Sequence, residues 1–113
     1  MAVLVPLHLH LGLRPFAFLH PAQDVFDFLS ALGGVLPDAD AVVVSLKSRT
    51  NPVEEAVAWS LQSCEALLGA GAKQILFKYC STFDSTDKGN IGPVTDALMK
   101  RLGARYTIAC PAF

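Results

Sequence analysis

AVVVSLKSRTNPVEEAVAWSLQSCEALL, residues Ala41–Leu68, decides the fold. It opens on Ala41-Val42-Val43-Val44, an apolar, mostly β-branched run with no polar alternation. Such a run suits a strand covered on both faces, as in a parallel sheet. A helix over Pro52–Leu68 follows. Asn51 is a good N-cap, Pro52 fits the first helical position, and Glu54 stands three residues after the cap, as in a capping box. Val53, Ala56, Val57, Ser60, Leu61, Cys64, Leu67 and Leu68 recur at helical spacing and predict a buried stripe. Gly69 and Gly71 punctuate the exit.

Downstream the same alternation continues. Gln74–Tyr79, centred on Ile75-Leu76-Phe77, reads as a buried strand. Thr95–Leu102 reads as a helix whose start lies near Asn90, with Val94, Ala97, Leu98 and Leu102 facing inward and Gly103 closing it. Tyr106–Ala109 reads as a last strand, ending at Pro111. Strand, helix, strand, helix, strand predicts an α/β fold with a βαβαβ core: a three-layer arrangement of a parallel sheet with flanking helices and right-handed crossovers. Upstream, Val3–Leu13 alternates loosely and could form a strand, with Pro6 favouring a sheet edge or a strand start. Gln23–Leu32 has helix-like spacing and ends at Gly33 and Gly34, and Pro37–Asp40 reads as a turn. An α/β domain usually continues after a strand, so the stop at Phe113 suggests a piece of something larger.

Composition narrows the function classes. The 113 residues are 52% hydrophobic and 17% charged, enough apolar material for one cored domain. Nine Lys and Arg against ten Asp and Glu leave a net charge of −1. That balance argues against nucleic acid or an acidic membrane as a partner. The apolar amino terminus lacks a basic leading region and is broken by Pro6, Arg14 and Pro15, so it reads neither as a secretory signal nor as a membrane span. Cys64, Cys80 and Cys110 are odd in number and lack C-x-x-C spacing, which fits a reducing cytoplasm and small apolar core residues.

Two polar clusters stand where an α/β sheet binds ligands, at the carboxyl ends of strands. The first is KYCSTFDSTDKGNIGP, Lys78–Pro93. Asp84, Ser85 and Thr86 offer acceptors and hydroxyls to a polyhydroxylated ligand, and Lys78 and Lys88 suit a carboxylate or phosphate. Gly89, Asn90 and Gly92 let backbone N–H groups approach an anion at the start of a helix. The plainer reading is an ordinary turn with Asn90 as helix cap and solvated lysines. The second cluster is Ser45, Lys47, Ser48 and Arg49, where Arg49 can grip a carboxylate in bidentate fashion or be a solvated loop charge. His8 and His10 would share a strand face, but no third metal ligand accompanies them, and Cys80 has no assignable base.

SLKSRTNPVEEA (Ser45–Ala56), FKYCSTFDSTDKGNIGPVTDAL (Phe77–Leu98) and the terminal CPAF resemble the four-carbon acid sugar kinases, and within them the 3-oxo-tetronate kinases. The likeness covers Pro37–Phe113 and leaves residues 1–36 as a divergent segment. It implies an ATP-dependent, Mg²⁺-assisted kinase acting on the terminal hydroxyl of a four-carbon sugar acid. It also implies an amino-terminal domain that holds the sugar acid and a carboxyl-terminal domain that supplies most of the nucleotide site. Residue by residue, it places Arg49 at the substrate carboxylate and Lys78, Asp84, Ser85 and Asn90 around the sugar. The chain departs from the family in lacking the D-D-F-T-G loop and in stopping before the N-G-R-T segment. It also carries Lys88 where many relatives have arginine.

The expectation is therefore a sugar-acid-binding portion, truncated at both ends and inactive as a kinase by itself. Its partners would be a four-carbon sugar acid, a missing nucleotide domain and, through uncovered sheet edges, other copies of itself. The alternative is a non-catalytic small-molecule binding module or a remnant without activity. An unrelated doubly wound domain, such as a nucleotide-binding fragment, is a third reading.

Overall fold

A computed structural model describes the backbone of residues 2–6 and 17–19, and residues 39–79 and 86–110 in full. Four strands and two helices are formed: β1 (Ala2–Pro6), β2 (Ala17–Leu19), β3 (Ala41–Ser45), α1 (Val53–Gly69), β4 (Leu76–Lys78) and α2 (Ile91–Leu102). The expected helix at Gln23–Leu32 and the first half of the expected Pro37–Asp40 turn lie outside the described residues.

The Ala41–Val44 run behaves as its composition demands. Val42 and Val44 are 0% and 1% exposed, and Ala41 and Val43 are 8% and 7% exposed, so both faces of β3 are covered. The sheet around it is not the all-parallel one expected. Its order is β2-β3-β1-β4. β2 pairs parallel with β3, but β1 pairs antiparallel with both β3 and β4. β3 and β4 thus run the same way, linked by α1, with an antiparallel strand in the slot between them. Pro6 is accordingly neither at an edge nor at a strand start. It is the last residue of a central strand, opposite Ala41, where the ladder ends and its missing N–H matters least.

α1 lies within a residue of its expected bounds, but its start is built differently. Pro52 is the N-cap, with ψ at 143°, and no side chain caps the helix. Asn51 instead donates from Nδ2 to Glu55 Oε2 at 3.0 Å, so the expected Asn51–Glu54 capping box does not form. Glu54 and Glu55 in the first turn suit the positive end of the helix dipole. Ala56, Ser60, Ser63, Cys64 and Leu67 are buried, and Ser60 and Ser63 return their hydroxyls to the carbonyls of Ala56 and Trp59. Gly71, at φ 93°, turns the chain out, and the N–H of Ala72 closes on the Leu67 carbonyl at 3.0 Å.

α2 packs on α1 through one cluster of Ala56, Cys64, Val94 and Leu98, flanked by Val57, Leu61, Leu68, Ile75 and Phe77. Both helices feed this one cluster, so the described residues show one helical layer on the sheet rather than two. Across the exposed end of the seam, Arg101 clasps Glu65: Nη2 donates to Oε2 at 2.7 Å and Nε to Oε1. The ion pair lowers the Glu65 pKa, chiefly through the hydrogen bond from Arg101, and raises that of Arg101. Burial pushes the Cys64 thiol up, the nearby Glu65 charge adds to that, and Arg101 partly opposes it.

Two expectations fail around β4. The strand is not buried, since Leu76 is 45% exposed and Lys78 is exposed. Tyr106–Ala109 forms no strand, and Tyr106 and Ile108 stand 82% and 86% exposed. A β-prone segment becomes a strand only when a neighbouring ladder is available in register. This one instead flanks an open, apolar cleft of about 270 Å³ against Phe77, Thr95 and Met99.

Candidate functional site

The sheet places the two polar clusters side by side. Ala2 of β1 pairs with Ser45 on one flank and Lys78 on the other. Ser45 and Lys78 therefore share one register row, two strand spacings or about 10 Å apart. The loop after β3, which carries Lys47, Ser48 and Arg49, and the segment after β4 leave the sheet at the same edge. This is the carboxyl end of both strands, where α/β sheets receive ligands.

Asn90 joins the two clusters. It is 5% exposed and stands immediately before α2, where its carbonyl accepts the Val94 N–H at 3.1 Å. Its side chain makes no helix cap. Instead Nδ2 donates to the carbonyls of Ser48 at 2.7 Å and Asn51 at 2.9 Å, with that of Arg49 at 3.4 Å. An amide nitrogen has two hydrogens, so it is fully committed to the loop. The plainer reading of Asn90 as a side-chain cap is therefore replaced by a tertiary clamp.

The turn leading into Asn90 is equally constrained. Gly89 N–H donates to the Thr86 carbonyl at 2.8 Å. A Cβ on Gly89 would lie 3.2 Å from that oxygen and 3.3 Å from the Thr86 nitrogen, so only glycine fits without a shift. Thr86, Asp87 and Lys88 are exposed along this turn.

Of the residues expected around a ligand, Arg49, Lys78 and Asn90 are placed at this edge. Arg49 and Lys78 are exposed, and Lys78 Nζ donates to the Tyr79 carbonyl. Asp84 and Ser85 lie outside the described residues, as do His8, His10 and Cys80. Ser48 is a feature the residue types did not single out. It is 0% exposed, and its Oγ has no hydrogen-bond partner among the described residues. A buried hydroxyl without a partner costs about 1–3 kcal/mol in lost hydration. Its place in a cluster of polar residues was legible, but its burial was not.

The chemistry this edge offers is recognition of a small polar anion by exposed cations beside a helix start. α2 has no acidic residue in its first turn, so the positive end of its dipole is not offset locally. The apolar cleft beside Phe77 and Tyr106 lacks such groups and suits packing rather than a sugar acid. Among the described residues no three His, Cys, Asp or Glu side chains come together to hold a metal ion. Nor, among those residues, is any helix long and apolar enough to cross a membrane.

The chain is similar to known proteins in sequence and in fold. A 3-oxo-tetronate kinase of Burkholderia multivorans is 64% identical over 76 residues, covering 67% of this chain and 18% of the kinase. One from Escherichia coli K12 is 59% identical over 80 residues, covering 70% of this chain and 21% of the kinase. A solved structure from Salmonella typhimurium LT2, described as a tRNA synthase, superposes with a TM-score of 0.65 at 45% identity, over 80% of this chain and 20% of that one. The chain thus spans about a fifth of the length of the proteins it matches. The profile of the sugar-binding N-terminal domain matches residues 12–113, beginning ahead of the Pro37 start read from the motifs. The chain belongs to the sugar-binding N-terminal domain family.

Proposed function

We propose that the chain is the four-carbon sugar-acid-binding portion of an ATP-dependent 3-oxo-tetronate 4-kinase. The supporting observation is the identity of 59–64% to 3-oxo-tetronate kinases, together with the meeting of both motif clusters at one sheet edge through Asn90. In this reading Arg49 pairs with the ligand carboxylate, Lys78 adds positive charge, and Asp84 and Ser85 bind sugar hydroxyls. Asn90 belongs to the site as the group that joins its halves.

Phosphoryl transfer rests on positioning and on charge stabilisation around a triphosphate and Mg²⁺. The kinases it resembles extend well past the fifth of their length that this chain matches, and in this reading ATP and Mg²⁺ bind in that remaining part. The chain by itself then binds without transferring phosphate, in a cytoplasmic setting. A tRNA-directed role has less support, because a net charge of −1 gives little attraction for a phosphate backbone.

A chimera tests the proposal. Residues 37–113 replace the matching segment of the Burkholderia multivorans kinase, and ADP release with 3-oxo-tetronate is followed. Retained turnover, together with no turnover by the 113-residue chain alone, is the expected pair of results. A folded chimera with no turnover would overturn the assignment.

A further inference from the structure

We infer that Asn90 is a positioning residue that acts on the ligand through Arg49. The inference rests on the sugar-acid reading above and deepens it. The segment between β3 and α1, Leu46 to Pro52, contains no helix or strand. An anchor for it comes from 39 to 42 residues away in sequence, where the Asn90 amide holds the carbonyls on either side of Arg49, those of Ser48 and Asn51.

The anchor is itself rigid. Asn90 begins the hydrogen-bond ladder of α2, and α2 is packed on α1 through Val94 and Leu98 and clasped by Arg101. Any movement of the α2 start is therefore transmitted to the Arg49 loop. The turn at Thr86–Gly89, which runs directly into Asn90, shares the same anchor. Small misplacements of a binding group are costly, because a shift of about 1 Å can cost as much as a hundredfold in a positioned site.

The test uses the 113-residue chain with Asn90→Ser and Asn90→Asp. Serine keeps a good helix-start residue but cannot reach the loop carbonyls. Aspartate keeps the shape but turns an acceptor toward three acceptors. Affinity for 3-oxo-tetronate is measured in the native and Arg49→Ala backgrounds, with amide hydrogen exchange of residues 46–52 and of α1 alongside.

The expected result is a roughly tenfold loss of affinity for each Asn90 variant when Arg49 is present, and less than about a twofold change when it is absent. Exchange is expected to rise in residues 46–52 and to stay unchanged within α1. Equal losses of affinity in both backgrounds would overturn the inference, because Asn90 would then act independently of Arg49. If the native chain binds no sugar acid, the function reading fails and exchange alone decides the clamp. Unaltered exchange in residues 46–52 would overturn it.

Discussion

Replacing Ser48 by alanine should make this chain more stable, which is the reverse of the usual effect of a core substitution. Ser48 is 0% exposed and its hydroxyl has no hydrogen-bond partner among the described residues. Without a partner elsewhere in the chain, the folded state carries the desolvation of that group, about 1–3 kcal/mol, uncompensated. Alanine removes the oxygen and leaves a void smaller than a methyl group, which returns part of the gain. The net expectation is about +1 kcal/mol of unfolding free energy, or roughly 4–6 °C in Tm for a domain of this size. Urea melts followed by circular dichroism and by Trp59 fluorescence would measure it, with the slope m held constant as the check that only stability changed. A loss of 1 kcal/mol or more would refute the reasoning, because it would show that the hydroxyl is bonded in solution. The same variant should weaken sugar-acid binding if the hydroxyl is held for the ligand, the familiar opposition of stability and function.

Two further predictions concern groups outside the site. Arg101 lowers the Glu65 pKa, so this pair stabilises the fold above the ordinary carboxylate range, near pH 4.3. The contribution is lost as pH falls through the lowered folded value. Acid titration of Tm should therefore show a shallower fall for Glu65→Gln than for the native chain, and identical acid limbs would contradict the clasp. Cys64 is buried with a raised pKa, whereas Cys110 is exposed. A thiol reagent at neutral pH should label Cys110 in the native state and Cys64 only after denaturation, which peptide mass spectrometry would check.

Much of the fold was legible because local patterns carried it. The Ala41–Val44 run has no polar face, and a strand covered on both sides resulted. Apolar residues at helical spacing located α1 and α2, and Gly103, left-handed at φ 64°, closes α2 as expected of that glycine. The sheet order was not legible, because the strand that separates β3 from β4 comes from Ala2–Pro6 and its direction is set by pairing across the chain. Tyr106–Ala109 has strand composition but does not pair with the open edge of β4, so propensity alone misplaced it.

The site divides in the same way. Residue types located Arg49 and Lys78 at strand ends, and the register row through Ala2 brings those ends together. Asn90 was visible as a polar residue at a helix start, where asparagine serves equally as cap, turn or ligand group. Only the tertiary fold shows its amide reaching the carbonyls of Ser48 and Asn51. Burial of Ser48 was hidden for a related reason, since a serine between Lys47 and Arg49 gives no local cue to a dry environment.

The central claim is that the edge holding Arg49 and Lys78 receives a four-carbon sugar acid. Isothermal titration of 3-oxo-tetronate into the 113-residue chain tests it most directly, with Arg49→Ala as the paired variant. The account predicts saturable one-to-one binding by the native chain and its loss in the variant. Absence of binding by the folded native chain, or equal affinity in the two proteins, would contradict it.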